Sequence, residues 1–456
     1  MNEKDRNLFE NMPEAKAVLT LAIPTVVSQL VMVFYNMADT FFIGQIGDPN
    51  QVAAANICMP LMFLMTGFAN LFGVGGSSLI SRCLGKGERE KAEHTASFCI
   101  WTSIVTAVLY GIIVYVLSSH ILPLFGANED TYIYCRKYLF WTIALGATPS
   151  ILNVELGHLV RAEGHSAQAG FGMILGALIN VVLDPLMILV FDMEISGAAI
   201  ATIISNIAAT VYFVILIIRE GSETTIALNP ARYSVKDGIP SEVLLVGFSG
   251  FIMCLMSTAS NATLNKLMST YCNEAIAGVG IAKKIDTLAF GIANGMSQGV
   301  VPLVGYNYSA KNFKRMKKTI KVTFAMSIGV ALVGAILLFT CAGPIVRAFI
   351  DDSLTVQYGR LFQRVMCITG PCISVTLISI TVFQAVGKKF QPVFLSMCRK
   401  GGLDIPCMFL MNALVGVTGI VWATPIADAC AMLISLVLFI PFWKKNLSDA
   451  AACEKL

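Results

Sequence analysis

The sequence predicts an all-α polytopic membrane protein: twelve transmembrane helices form two six-helix lobes, related by a pseudo-two-fold axis along the membrane normal. Three observations predict this fold: an apolar composition, twelve separated apolar segments and an internal repeat. The chain has 456 residues, of which 56% are hydrophobic and 13% are charged, and its mean hydropathy is +0.73. In soluble proteins about a quarter of the residues are charged. The composition therefore places the chain in a membrane.

Twelve apolar segments are long enough to cross a bilayer as helices, since one crossing needs about 20 mostly apolar residues. Each half of the chain supplies six. The predicted spans are 17–43, 52–79, 94–118, 138–159, 167–190, 196–218, 242–270, 276–304, 320–342, 361–386, 391–415 and 418–443.

The second half of the chain repeats the first at a nearly constant offset. GKGEREKA at 85–92 corresponds to SAKNFKRM at 309–316, and LFGANEDTYIYCR, ending at Arg136, corresponds to AFIDDSLTVQYGR, ending at Arg360. The offset is 224 residues, far longer than the solenoid units of about 20 to 50 residues. The repeat therefore indicates a duplicated half-protein. The predicted domains are a tail (1–16), an N-terminal lobe (17–218), a linker (219–241), a C-terminal lobe (242–443) and a second tail (444–456).

The basic residues predict the orientation of the spans. Lys and Arg are concentrated in the tails and in alternate loops, whereas the loops at 44–51, 191–196 and 416–418 contain none. By the positive-inside rule both termini are cytoplasmic. Six spans per half give the two halves the same orientation, and two such lobes can rock about a shared axis, as transporters do. The alternative to a transporter is a channel whose pore lies within one duplicated chain.

The composition and motifs argue against several other classes of function. The thirteen cysteines are scattered without paired CxxC motifs, and the four histidines form no HExxH motif. No nucleophile or metal constellation indicates an enzyme, and no cofactor is expected. The basic residues form no patch with interleaved aromatic residues, so nucleic acid is not an expected partner.

Two acidic residues lie within predicted spans, where an ionised side chain costs about 2.5–3.5 kcal/mol on insertion scales. Asp39 lies in the first span and Asp184 in the fifth, and Asn180 is four residues before Asp184, on the same helix face. Their oxygens suit a small hard cation, and closely spaced carboxylates can carry protons instead. For Asp39 alone, a structural hydrogen bond is the competing interpretation.

The remaining polar residues within or near spans have structural interpretations. Asn206 and Asp428 occupy equivalent positions in the two halves and are predicted to form interhelical hydrogen bonds. Glu155 and His158 are expected near the cytoplasmic interface. Four further charged residues are interpreted as span ends: Lys266, Lys283, Lys284 and Asp286. Arg399 and Lys400 are interpreted as part of a cytoplasmic loop or helix start.

Several motifs in order resemble one known family. Pro24 and Asp39 in the first span, GGSSLISRCLGKGEREKA at 75–92, RAEG at 161–164 and NVVLDP at 180–185 resemble the multidrug and toxic compound extrusion (MATE) transporters. The resemblance covers about residues 15–445 and is strongest for the DinF-like branch and its MepA-like bacterial drug exporters.

The resemblance implies a function and a site. Members export organic cations and other amphipathic drugs through two V-shaped lobes in exchange for Na⁺ or H⁺, so we expect a monomeric multi-pass protein of a bacterial cell membrane. In the DinF-like branch the coupling ion binds in the N-terminal lobe, at positions that read Asp39, Asn180, Asp184 and Thr202 here. Pro24 is the expected hinge of the first span. The predicted substrate-cavity residues are Gln29, Tyr35, Asn36, Asn153 and Asn206.

The C-terminal lobe is expected to lack coupling acids. Other branches use acidic residues in the seventh and tenth spans, but 242–265 and 361–386 contain none. In the repeat alignment Asp184 lies opposite about Pro406, with Asp404 only nearby. The main alternative function is a flippase for lipids or lipid-linked oligosaccharides, which would hold pyrophosphate with several basic residues in the cleft. Lys266, Arg399 and Lys400 are the candidates near it.

Overall fold

The computed structural model describes residues 3–271, 273–350 and 352–447, and these residues contain helices and no strand. Helices satisfy their own backbone hydrogen bonds, as a lipid environment requires. The first half contains α1 (Glu3–Glu10), α2 (Glu14–Gly44), α3 (Pro49–Lys86), α4 (Arg89–Val116), α5 (Ser118–Leu124), α6 (Glu129–Leu139), α7 (Ala147–Ala162), α8 (Ser166–Pro185) and α9 (Glu194–Glu220).

The second half contains ten α-helices: α10 (Ile239–Met268), α11 (Asn273–Gly299), α12 (Val301–Ser309), α13 (Phe313–Thr340), α14 (Ala342–Arg347), α15 (Ser353–Cys367), α16 (Gly370–Ala385), α17 (Phe390–Met397), α18 (Ile405–Val415) and α19 (Val417–Leu447). Three π-helical segments interrupt the spans, at Phe140–Leu145, Leu186–Val190 and Cys398–Asp404, and a 3₁₀ turn in the linker covers Pro230–Arg232.

The twelve predicted spans correspond to helices in the described residues. Nine are long apolar helices, and two are helix pairs bent by 50° between Leu145 and Ala147 and by 44° between Cys367 and Gly370. The span predicted at 391–415 is continuously helical from 390 to 415. The predicted all-α, twelve-span fold is therefore confirmed, whereas the residue limits of the two lobes stay a prediction.

Each half has its own buried core. In the first half, clusters centred on residues such as Phe213 and Tyr138 pack α3, α4, α6, α7 and α9 together. In the second half, separate clusters around Phe383 and Phe362 do the same for its helices. Most apolar packing thus lies within each half, and a smaller cluster around Phe9 and Tyr306 joins the two halves.

The two halves meet where small residues let backbones approach. A Cβ at Gly75 would collide with the Val243 carbonyl, and one at Gly247 with the Leu71 carbonyl, so α3 and α10 touch through their backbones. Gly295 also brings α11 close to α2, because a Cβ there would lie 2.6 Å from Val26 Cα. All these contacts lie at the ends of the helices nearest the termini and the linker.

Farther from the termini, facing side chains of α3 and α10 become exposed. Gly67 of α3 still packs against the Phe251 ring of α10. Phe63 and Met59 precede Gly67 by one and two turns on the same face of α3, and they are 44% and 42% exposed; Leu255, one turn beyond Phe251, is also exposed. These apolar side chains indicate a cleft between the halves that opens away from the termini.

We expect Gly247→Ala to lower the free energy of unfolding by about 1–3 kcal/mol, because the added methyl group overlaps a backbone carbonyl that cannot rotate away. Thermal unfolding of the purified protein in detergent measures the change. Gly280→Ala is the matched control, because nothing lies within 4 Å of its Cβ position and Ala is better than Gly in a helix interior by about 0.5–1 kcal/mol. Equal stability losses in both variants would contradict the close contact.

Candidate functional site

The structure brings the four predicted cation-site residues together. Asn180 and Asp184 lie one turn apart at the end of α8, and Thr202 faces them from α9; their exposures are 1%, 0% and 7%. With its amide oriented to satisfy its neighbours, Asn180 donates to Asp184 Oδ2 at 2.8 Å and accepts from the Thr202 backbone N–H at 3.2 Å. Helix spacing places the first two side chains on one face, and the packing of α9 against α8 adds the third.

Asp39 completes the cluster from α2. Its carboxyl group is within hydrogen-bonding reach of the Asp184 carboxyl, and its Oδ1 is buried with no hydrogen-bond partner among the described residues. Tyr35, one turn earlier on α2, lies close to Thr202. Tyr138 of α6 lies close to Asp39, Tyr35 and Asp184.

Two adjacent carboxyl groups cannot both stay ionised without a positive charge or a proton between them. Among the described residues, no ion pair links Asp39 or Asp184 to a basic side chain. The cluster therefore has carboxylate, amide and hydroxyl oxygens but lacks a fixed counter-ion. A proton or a small hard cation fits this donor set.

The backbone next to Asp184 departs from a regular α-helix. α8 ends at Pro185, which has no backbone N–H, and continues as the π-helical segment Leu186–Val190. π-Helical turns occur frequently at functional sites. α9 then packs against this segment, because a Cβ at Gly197 would meet the backbone of Met187.

The predicted substrate-cavity residues fall into two groups. Asn153 donates to Asn206 Oδ1 at 3.0 Å, so these two residues join α7 to α9 inside the first half, and the predicted interhelical bond of Asn206 is observed. On α2, Gln29 is half-buried beside Gly291 of α11, and Asn36 is exposed. Their contact with a drug stays a prediction, as does that of Tyr35.

Pro24 lies within α2, where its carbonyl contacts α8 closely enough that a Cβ at Gly170 would collide with it. A proline inside a helix removes one backbone hydrogen bond and favours bending. The hinge role of Pro24 stays a prediction.

Four charged residues in the second half were misplaced by the sequence interpretation. Lys283 and Asp286 lie in the middle of α11, not at a span end, and they form an ion pair at 3.9 Å. Arg399 and Lys400 lie in the helical span 390–415, not in a loop. The sequence interpretation placed charged residues outside the apolar spans, because an unpaired charge is costly in lipid. In the folded protein each of these four charges lies inside a helix and is paired with an opposite charge.

Two buried acidic groups were also missed. Asp404 is 0% exposed and accepts from Ser260 Oγ at 2.6 Å and from Lys400 Nζ at 3.3 Å. Glu155, expected near the interface, is also 0% exposed, with both carboxyl oxygens unpartnered in the described residues. For Asp404 a signal existed: Leu-Asp occurs at 183–184 and again at 403–404.

Comparison with known proteins identifies the family. The MatE family model matches the chain twice, over residues 24–186 and 248–410. The chain belongs to the MATE family. The starts of the two matches, at 24 and 248, are separated by the same offset as the repeated motifs at 85 and 309.

Similar proteins agree with this assignment. The multidrug export protein MepA of Staphylococcus aureus (strain N315) is 30% identical over 442 residues, covering 96% of this chain and 97% of MepA. A crystal structure of MATE in complex with MaL6 aligns over 100% of both chains with a TM-score of 0.90 at 20% identity. An outward-facing multidrug resistance MATE family transporter aligns over 100% of both chains with a TM-score of 0.87 at 19% identity.

These matches settle the class of protein. The family match and the MepA relatives identify a transporter of the multidrug efflux type, so the prediction of a transporter rather than an enzyme is confirmed. The flippase alternative is not favoured by any of them. Because the two solved structures share so little sequence with this chain, they support the fold alone.

Proposed function

We propose that this protein is a secondary active antiporter that exports organic cations and other amphipathic drugs across a bacterial cytoplasmic membrane in exchange for Na⁺ or H⁺. It works as a monomer without a cofactor, with both termini in the cytoplasm. Asp39, Asn180, Asp184 and Thr202 bind the coupling ion in the N-terminal lobe. The name of the MepA relatives, multidrug export protein, supports the drug-export part.

The observation that carries the coupling part is the contact between the Asp39 and Asp184 carboxyl groups without a basic partner. Because the two adjacent carboxyl groups share one proton, the pair carries one negative charge when no further cation or proton is bound, and it is neutral when one is. A drug cation and the coupling ion therefore compete for one negative charge, directly or through helix position. Such competition is what exchange of one cation for another requires.

The apolar cleft supports the drug-binding part. With the termini in the cytoplasm, the cleft opens outward, and a coupling ion enters from that side to displace the drug. Phe63, Met59 and Leu255 present apolar surface there, while soft Met and Phe side chains adapt to ligands of different shape. Bending of α2 at Pro24 links the charge of the carboxyl pair to the cleft.

Ethidium transport in proteoliposomes tests this function. We expect the reconstituted protein to move ethidium against its gradient when an inward gradient of Na⁺ alone, or of H⁺ alone, is applied, and one of the two ions to suffice. Liposomes without protein set the leak. Ethidium movement that is equal with and without both gradients would contradict antiport.

A further inference from the structure

The second half contains a polar cluster with the same layout as the proposed cation site. In the first half, Asn180 precedes Asp184 by four residues; in the second, Lys400 precedes Asp404 by four, and a leucine comes immediately before each aspartate. A π-helical segment adjoins both aspartates, following the first and ending at the second. The two clusters therefore occupy corresponding helices of the repeat.

The partners of the two aspartates also correspond. Asp184 contacts Asp39 on α2, the first spanning helix of its half, and Asp404 accepts a 2.6 Å hydrogen bond from Ser260 on α10, the first spanning helix of the second half. The Thr424 side chain lies close to Asp404. Thr424 lies on α19, the last helix of its half, as Thr202 lies on α9, the last helix of the first half.

The clusters differ in their positive charge. Lys400 Nζ is 3.3 Å from Asp404 Oδ2, and the two side chains are 12% and 1% exposed. In the first half the equivalent position is the neutral amide of Asn180. An ammonium group is a compact monovalent cation, so the tethered lysine supplies the charge that an exchangeable ion must supply in the first half.

The neighbouring charged side chains are also paired with opposite charges. Arg399 pairs with Asp428 at 2.8 Å, with side-chain exposures of 3% and 2%, and Lys283 pairs with Asp286. Lys400 and Asp404 form a third such pair. Asp404 Oδ1 is nevertheless buried without a hydrogen-bond partner in the described residues. The cluster thus has an oxygen that its lysine does not use.

We propose that the C-terminal lobe holds a second monovalent-cation site, formed by Ser260, Asp404 and Thr424, in which the Lys400 ammonium is a permanent, covalently tethered cation. The comparison between lobes rests on the proposed function of the first site. While Lys400 is in place, Na⁺ does not bind there, and ion exchange is confined to the N-terminal lobe. Replacing Lys400 by the Asn of the first half converts the site into one that binds free Na⁺.

Binding of radioactive Na⁺ to the purified full-length protein in detergent at alkaline pH tests the proposal. The Asp184→Asn background removes the carboxylate of the first site, so that binding there does not mask the second. We expect Asp184→Asn/Lys400→Asn to bind about one more Na⁺ per chain than Asp184→Asn, because an aspartate with hydroxyl and amide oxygens is a hard donor set. Adding Asp404→Asn should remove this gain.

Asp184→Asn/Lys389→Asn is the matched control, since it loses the positive charge of an exposed lysine in the same region. If Lys400→Asn binds no more Na⁺ than this control while eluting as a folded monomer, the proposal is overturned. Lys400→Gln, which fills more of the lysine volume, replaces Lys400→Asn if that variant does not fold. If the parent and Asp184→Asn bind the same amount of Na⁺, Na⁺ is not the ligand of the first site. The gain expected at the second site does not depend on that result.

Discussion

Replacing Asp184 with Asn is expected to reduce ethidium efflux at least tenfold. Asn keeps the shape and the hydrogen bonds of the side chain but removes the charge for which drug and coupling ion compete. A loss of tenfold corresponds to about 1.4 kcal/mol, which is small beside the interaction of a cation with a carboxylate at a buried site. Asp39→Asn should act in the same direction, because its carboxyl group shares the charge. Efflux from energised cells, normalised to the amount of membrane-inserted protein, measures the effect.

Asp130→Asn is the control for this prediction. Asp130 is exposed in the first turn of α6, away from the cluster, and its loss should leave efflux unchanged. Efflux at the parent rate by correctly inserted Asp184→Asn would remove the proposed coupling role of the first-lobe site.

Replacing Asp428 with Ala is expected to lower the free energy of unfolding by about 3–5 kcal/mol, because it leaves a buried guanidinium without its counter-ion. Arg399 and Asp428 are nearly inaccessible and 2.8 Å apart. Arg399 also lies over the Phe290 ring, at 5.4 Å from its centroid, so it cannot move to solvent without leaving that contact. Thermal unfolding in detergent measures the loss.

The exposed ion pair of Arg6 and Glu10 supplies the control. Its side chains are 68% and 33% exposed, and such surface pairs contribute about 0–1 kcal/mol. Arg6→Ala should therefore leave stability almost unchanged. Removing both buried charges, in Arg399→Met/Asp428→Leu, should restore much of the loss from Asp428→Ala. Equal losses in the free energy of unfolding for Asp428→Ala and Arg6→Ala would contradict the expected stabilisation by the buried pair.

The fold could be predicted because a backbone that crosses lipid must satisfy its own hydrogen bonds, which for apolar segments of this length means helices. Twelve apolar segments of sufficient length give twelve helices, and the repeat gives two bundles. The bends before Ala147 and Gly370 were not predicted, since an apolar segment has the same composition whether it is straight or bent. Bends depend on packing between helices.

Part of the cation cluster in the first half could be predicted because Asn180 and Asp184 are only four residues apart in the sequence. Asn180 and Asp184 share a helix face by spacing alone, and the family resemblance added Asp39 and Thr202. Tyr138 could not be assigned to the cluster from spacing, because it reaches the cluster through a tertiary contact of α6. Tyr35 lies one turn before Asp39 but was predicted only as a substrate-cavity residue.

The second-lobe cluster was missed because a constant repeat offset fails near the π-helical segments. The offset is 224 at Gly75, 220 at Asp184 and 222 at Thr202, so a fixed register places Asp184 opposite the wrong residue. The structure thus places a buried acidic cluster in each half, of which the second contains a paired lysine; that only the N-terminal lobe couples to the ion stays a prediction.

Competition between drug and coupling ion at the Asp39–Asp184 pair is the central claim, and equilibrium binding tests it most directly. Ethidium fluorescence on the purified protein is titrated with Na⁺ at fixed pH, and with H⁺ in the absence of Na⁺. We predict that one of the two ions weakens ethidium binding at least tenfold, or by about 1.4 kcal/mol, in the parent but not in Asp39→Asn/Asp184→Asn. Ethidium affinity that ignores both ions, or that responds equally in the parent and the double variant, would contradict the claim.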